Sequence, residues 1–246
     1  MSKAILGVSV CSLPKKQLQR KIERRLLAEK STAIFTPNAE MLSAAARDSS
    51  LCTLLNSSDI NIPDGIGIYL AALVSGSRIP ERSTGIDTAE QILKIAAKHS
   101  LRVFLLGGKD GVAHKAARAL KKRYPKLIIC GTHHGYFDKD KLCQENISVI
   151  RTINEAKADI LFVCFGFPLQ ERWIAENLPS LPSVILAMGL GGSLDVWSGN
   201  IRRAPSLIQN IGLEWLWRAF REPKRAKRLL SLPKGLVSAI TKKECR

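Results

Sequence analysis

Asp64 is the residue whose neighbours best suit it to move a proton. It stands between Pro63 and Gly65, where a short apolar run ending at Ile62 gives way to an apolar helical segment starting at Ile66. A carboxylate in such a turn can act as a general base, and the glycine lets a substrate come close. An aspartate ahead of a helix is equally an N-cap, and residue type alone does not choose between the two. Thr36-Pro37-Asn38 carries the same pair of readings. Proline at the first helical position behind a capping threonine is ordinary helix chemistry, yet Thr and Asn at a strand-to-helix turn also suit sugar hydroxyls. Arg82, in the loop Pro80-Glu81-Arg82-Ser83-Thr84-Gly85, could hold a phosphate or simply be solvated.

A second group of residues lies further along. Gly107-Gly108-Lys109-Asp110-Gly111 follows an apolar run and has the look of a phosphate-cradling loop at a helix N-terminus. It is not G-x-G-x-x-G, and the next strand, ending at Cys130-Gly131, lacks the following acid of a nicotinamide fold. A dehydrogenase is therefore disfavoured. Asp138-Lys139-Asp140 fits the Asp-x-Asp pattern of a divalent-metal site, but acids just ahead of a helix are favoured by capping and by the helix dipole. The capping reading is preferred here. His133 and His134 are adjacent and cannot share a helix face, so a loop pair is expected. No metal and no cofactor is expected.

The densest stretch runs from Ala158 to Pro205. Ile160 to Phe165 closes on Gly166-Phe167-Pro168, and Val184 to Met188 closes on Gly189-Leu190-Gly191-Gly192. Short apolar runs without polar alternation, each ending in glycine and followed by a helical pattern, read as parallel strands buried on both faces. Ligands in such sheets sit beyond the carboxyl ends of the strands. Gln170, Glu171, Arg172, the 189–192 loop and Asp195 are thereby placed at a candidate crevice.

The elements that must position these residues alternate along the whole chain. Strands are expected at Ala4–Val10, Thr32–Phe35, Asp59–Ile62, Arg102–Leu106 and Lys126–Cys130. Helices are expected at Lys15–Glu29, from Asn38 to about Arg47, and at Ile66–Val74, Asp87–His99, Val112–Lys122 and Asp140–Ala156. This is the order of an α/β protein with a doubly wound, largely parallel Rossmann-like sheet and helices on both faces. With 246 residues, one domain or two joined lobes divided near residue 100 are both compatible.

The formal charge is +17, which asks for an anionic partner: nucleic acid, a membrane surface or a phosphorylated substrate. From Arg218 to Arg246 ten Lys/Arg stand against two Glu, a net +8. Trp215, Trp217, Phe220, Leu229 and Leu230 are interleaved with them. Residues 213–246 read as a basic helical appendage suited to an anionic membrane surface. No helix-turn-helix, zinc-finger or RNP-type pattern accompanies the charge, so nucleic-acid binding is disfavoured. Six scattered cysteines form no C-x-x-C pair and read as reduced thiols. The basic stretch Lys15–Arg25 follows the first apolar run instead of preceding it, which argues against an export signal and for a cytoplasmic protein.

Ordered blocks then tie these features together. They are Thr36-Pro37-Asn38-Ala39-Glu40, Pro63-Asp64-Gly65-Ile66-Gly67, Arg82-Ser83-Thr84-Gly85-Ile86-Asp87, Phe104-Leu105-Leu106-Gly107-Gly108, Gly135-Tyr136-Phe137, Gly166-Phe167-Pro168-Leu169-Gln170-Glu171, Gly191 to Val196 running on through Arg203-Ala204-Pro205, and Gly212-Leu213-Glu214-Trp215-Leu216. In this order the chain resembles the WecG/TagA/CpsF family of bacterial glycosyltransferases over nearly its whole length. Ser83 stands where the family usually has an apolar residue, and Leu190 where it usually has Val; neither carries the chemistry.

The resemblance implies an inverting, metal-independent transfer of a hexose-type sugar from a UDP-sugar to an undecaprenyl-pyrophosphate-linked sugar, in the synthesis of a cell-surface polysaccharide. In two branches of the family the sugar is N-acetylmannosamine or N-acetylmannosaminuronic acid. It further implies Asp64 as the base with Thr36 and Asn38 beside it. Arg82, Gln170 and Asp195, together with Gly107, Gly108 and Tyr136, would serve substrate binding. Arg218, Arg225 and Arg228 would meet the lipid pyrophosphate and the inner face of the cell membrane. A homo-oligomer is left open.

Overall fold

Hydrophobic spacing and glycine punctuation decide most of the secondary structure. Residues 2–74, 76, 79–81, 83–205, 208 and 217 are described by a computed structural model. Its first elements are β1 (Ser2–Ile5), β2 (Val8–Cys11), α1 (Lys15–Leu27), β3 (Thr32–Phe35), α2 (Ala39–Ala45), α3 (Ser49–Asn56), β4 (Ile60–Asn61) and α4 (Ile66–Val74). There follow α5 (Gly85–His99), β5 (Arg102–Gly107), α6 (Val112–Arg123), β6 (Ile128–His133) and α7 (Gln144–Glu155). The last are β7 (Ile160–Cys164), α8 (Leu169–Asn177), β8 (Leu186–Gly189) and α9 (Ser193–Trp197), with one 3-10 turn at Leu178–Ser180.

The chain divides into two units. The first comprises 1–15, 36–85 and 203–246; the second comprises 16–35 and 86–202. The second holds the parallel strands in the order β3-β8-β7-β5-β6. Every residue of β3, β7 and β8 is buried, as uninterrupted apolar runs require in a sheet covered on both faces. Helix α1 buries Leu18, Ile22 and Leu26, one residue per turn. This is the α/β, Rossmann-like arrangement expected. The chain passes from β5 outward to β6 and then returns to add β7 on the other side of β5. The order thus reverses between β5 and β7, and a doubly wound sheet binds its ligands at such a switch point.

Four local expectations are corrected. Ala4–Val10 is a hairpin, with Ile5 opposite Val8 and Leu6-Gly7 as the two-residue loop. Both loop residues have positive φ, 50° and 82°, the I′ form whose twist matches the flanking strands. Leucine there hid a turn that Asn or Asp normally signals. The helix expected to run to about Arg47 ends at Ala45, and Asp48 starts a further one, α3, by accepting the Ser50 and Leu51 amides at 2.8 and 3.4 Å. Strand β6 continues through Gly131 to His133 because the Phe104 ring lies against Gly131, where a Cβ would collide with it. Helix α7 begins at Gln144, not Asp140. The proposed appendage, 213–246, lies outside the described residues except for Trp217.

Candidate functional site

Within the first unit, three turns meet at Asp64. The Asp64 amide donates to the Pro37 carbonyl at 2.8 Å. Its Oδ1 accepts the amide of Gly85, the first residue of α5, at 3.3 Å. Gly85 packs against Thr36, whose methyl would stand 2.9 Å from a Cβ at that position. Helices α2 and α4 approach closely because Gly67 faces Ala39, where a Cβ would be 2.7 Å from the alanine's own. Asn38 caps α2, its Oδ1 accepting the Met41 amide at 3.0 Å. Thr36 is buried and Asp64 half-buried. At Gly65, φ is +78° and nothing lies within 4 Å of a notional Cβ. The carboxylate is thus held from its backbone and from one oxygen, with open space at the next residue, which only glycine readily provides.

Arg82 falls outside the described residues, but both its neighbours are tied down. The Tyr69 hydroxyl donates to the Glu81 carbonyl at 2.8 Å and accepts the Ser83 amide at 2.9 Å. Glu81 Oε2 also accepts the Lys15 amide at 2.7 Å. Sequence reading passed over Tyr69, because a tyrosine within an apolar helix reads as core.

Within the second unit, the other expected residues collect at the carboxyl ends of the strands. Gly107 lies against the Cys164 carbonyl so closely that no side chain could replace its hydrogen. The Gly108 amide donates to Cys164 O at 3.3 Å, and the Gly135 amide to Gly108 O at 2.8 Å. The loops after β5, β6 and β7 are thereby laced to one another. Tyr136 is largely exposed, with its amide on His134 Nδ1 at 3.2 Å. Lys139 supports this loop: its ammonium donates to Gly135 O and Phe137 O at 2.6 and 2.9 Å. The same ammonium stands over the Phe137 and Phe165 rings at 4.5 and 4.7 Å. Partial burial pushes its pKa down. Asp138 and Asp140 accept the amides of Asp140 and Leu142 at 3.0 and 2.9 Å, so both carboxylates organise turns one step before α7. His133 Nδ1 meets the His134 carbonyl at 2.8 Å; the expected loop pair is corrected in part, since His133 ends β6 and only His134 lies in the loop.

Gln170 and Asp195 stand in the first turns of α8 and α9, the helices that follow β7 and β8. Gln170 is buried, and its Oε1 accepts the Gly166 and Gly191 amides at 3.2 and 2.8 Å. Asp195 is half-buried in α9, which follows Gly191-Gly192. Glu171 is wholly buried, and burial pushes its carboxyl above the usual range. Burial likewise raises the Cys164 thiol to about 12, so it stays a neutral packing group. Arg218, Arg225 and Arg228 lie outside the described residues. Among those described, no helix is long and apolar enough to cross a membrane.

Comparison with known proteins gives a consistent result. The profile of the Glycosyl transferase WecG/TagA/CpsF family matches residues 3–246. An N-acetylglucosaminyldiphosphoundecaprenol N-acetyl-beta-D-mannosaminyltransferase of Bacillus subtilis (strain 168) is 34% identical over 220 residues, 89% of this chain and 83% of the relative. A protein of the same name from Staphylococcus aureus (strain MW2) is 33% identical over 231 residues, 93% of this chain and 88% of the relative. With three turns tied around one carboxylate, strand-end loops at a topological switch point and a profile match over residues 3–246, the chain belongs to the WecG/TagA/CpsF family of glycosyltransferases.

Proposed function

We propose that the protein transfers N-acetylmannosamine from its UDP derivative to N-acetylglucosamine carried on undecaprenyl pyrophosphate, with inversion at the anomeric carbon. The relatives' names supply the sugar and the acceptor. The observation that carries the chemistry is Asp64, pinned through its amide and Oδ1 beside the open position at Gly65. In the displacement the acceptor oxygen bonds to C1 and the C1–O bond to UDP breaks. The acceptor's proton passes to Asp64, a positioned base worth about 10²–10⁴-fold in rate. Thr36 and Asn38 shape the turns beside it.

UDP departs as an anion and needs cations or amides to receive it. Arg82 takes that role, with its flanks steadied by Tyr69. Gln170, Asp195, Gly107, Gly108 and Tyr136 serve donor binding at the strand ends. Arg218, Arg225 and Arg228 hold the lipid pyrophosphate and dock the protein peripherally on the inner face of an anionic membrane. A panel of UDP-sugars with lipid-pyrophosphate-linked N-acetylglucosamine tests the reading. Transfer is expected from UDP-N-acetylmannosamine at least about ten-fold faster than from its gluco epimer. Equal transfer from both, or none from either, would overturn the assignment.

A further inference from the structure

Glu171 takes no part in the reaction described above, yet it is the most deeply enclosed acid of the described residues, with no exposed surface. Its Oε1 accepts from Gln170 Nε2 at 2.8 Å, and its Oε2 is buried without a hydrogen-bond partner. Gln170 turns its other end toward two backbone donors, the Gly166 amide at 3.2 Å and the Gly191 amide at 2.8 Å. Those glycines lie in the loops that follow β7 and β8, and Gly191 precedes Gly192, the N-cap of α9, which carries Asp195. The Gln170 amide is also closely packed: a Cβ on Gly189 would come within 2.9 Å of Nε2.

An amide side chain has one accepting and one donating end. Gly166 and Gly191 require the oxygen; Glu171 gives the nitrogen its acceptor, so the two ends agree on one orientation. Without that acceptor a buried N–H is stranded, and the side chain gains by leaving its place. We propose that Glu171 is a positioning residue, the acceptor that seats Gln170 so that Gln170 Oε1 ties the loops closing β7 and β8 together. The consequence for turnover rests on the donor-binding role given to those loops; the tie itself does not.

Two substitutions separate acceptor from charge and from packing. Glu171→Gln keeps an accepting oxygen, whereas Glu171→Leu keeps the bulk and removes the acceptor. Hydrogen exchange of peptides covering 165–171 and 189–195 in the full-length protein reads the tie without turnover. Loss of one hydrogen bond's worth of protection corresponds to roughly ten-fold faster exchange. That acceleration is expected in Glu171→Leu and not in Glu171→Gln. Donor kcat/KM should fall on the order of 10–100-fold in Glu171→Leu, through donor KM with acceptor KM unchanged, and Glu171→Gln should restore it. Unchanged exchange in a folded Glu171→Leu protein overturns the proposal, as does Glu171→Gln behaving like Glu171→Leu. If Glu171→Leu does not fold, exchange in Glu171→Gln decides: wild-type protection supports the tie and faster exchange overturns it. A wild-type protein that transfers no N-acetylmannosamine would refute the proposed function and leave the exchange result standing.

Discussion

Replacing Asp64 with asparagine separates its bond to Gly85 from its proposed role as base. Asparagine still offers an oxygen to the Gly85 amide, a bond already long at 3.3 Å, and leaves the Asp64 backbone donation to Pro37 intact. The stability change should therefore stay below about 1 kcal/mol, or about 2–4 °C in melting temperature for a chain of this size. Removing a positioned base costs about 10²–10⁴ in turnover, which is about 2.7–5.5 kcal/mol of activation free energy. Alanine at the same position also strips the Gly85 amide of its acceptor, and should cost about 1–3 kcal/mol of stability besides. The assay is release of UDP in the presence of lipid-linked N-acetylglucosamine, alongside thermal melts and UDP titration of each protein. Asp64→Asn should melt within a few degrees of wild type, bind UDP normally and turn over at least about a hundred times more slowly. Turnover within ten-fold of wild type, in a protein with that melting behaviour, would leave Asp64 as a structural cap and move the base elsewhere.

Tyr69→Phe removes the hydroxyl that joins Glu81 and Ser83; it should lower turnover about ten-fold through the loop that carries Arg82, while UDP-sugar titration shows weaker donor binding. Turnover should persist in excess EDTA, since the Asp138 and Asp140 carboxylates accept turn amides and cationic side chains can receive the departing UDP; loss restored by Mg²⁺ or Mn²⁺ would count against this. Reversing Arg218, Arg225 and Arg228 to Glu in the full-length chain should weaken binding to anionic vesicles by at least about a hundred-fold, at about 1 kcal/mol for each charge removed near the surface. Because burial holds the Glu171 pKa above its ordinary 4.5, its protonated form stabilises the fold fully below about pH 4.5, and that contribution is lost as pH rises through the folded-state value. Glu171→Gln should therefore gain on wild type in melting temperature as pH rises above 4.5, and a gap that does not change with pH would contradict the assigned shift.

Fold class was legible because β7 and β8 lie in continuous apolar runs that close on glycine, a pattern that leaves few alternatives. The missed features share a cause: the deciding partner lay far away in sequence. Leu6-Gly7 turns because Ile5 and Val8 pair, and β6 extends because Phe104 covers Gly131. Asp64 could be singled out from its turn, but local reasoning suggested a cap for α4. The bond to Gly85, 21 residues on, is invisible to it. Gln170 is a parallel case. Its place after a strand suggested a ligand contact, and what local reasoning did not show is the bond from its oxygen to the Gly191 amide, 21 residues on. Tyr69 carried no signal beyond helical spacing.

The pairing of β3 with β8 sets an order of assembly. Thr32 lies beside Leu186 and Ile34 beside Met188, so β3 cannot take its place until more than three-quarters of the chain exists. Bringing such distant segments together costs loop-closure entropy before any contact rewards it, and contacts of this kind slow folding. Strands β5, β6 and β7 can pair earlier, among nearer neighbours. During synthesis β3 therefore waits, a segment of four residues buried in the finished fold with β8 still unmade. The Thr36-Pro37-Asn38 turn follows it directly in the chain. One of the three turns around Asp64 thus continues directly from a strand whose partner is made late, and the proposed base gains its full setting only once β8 exists.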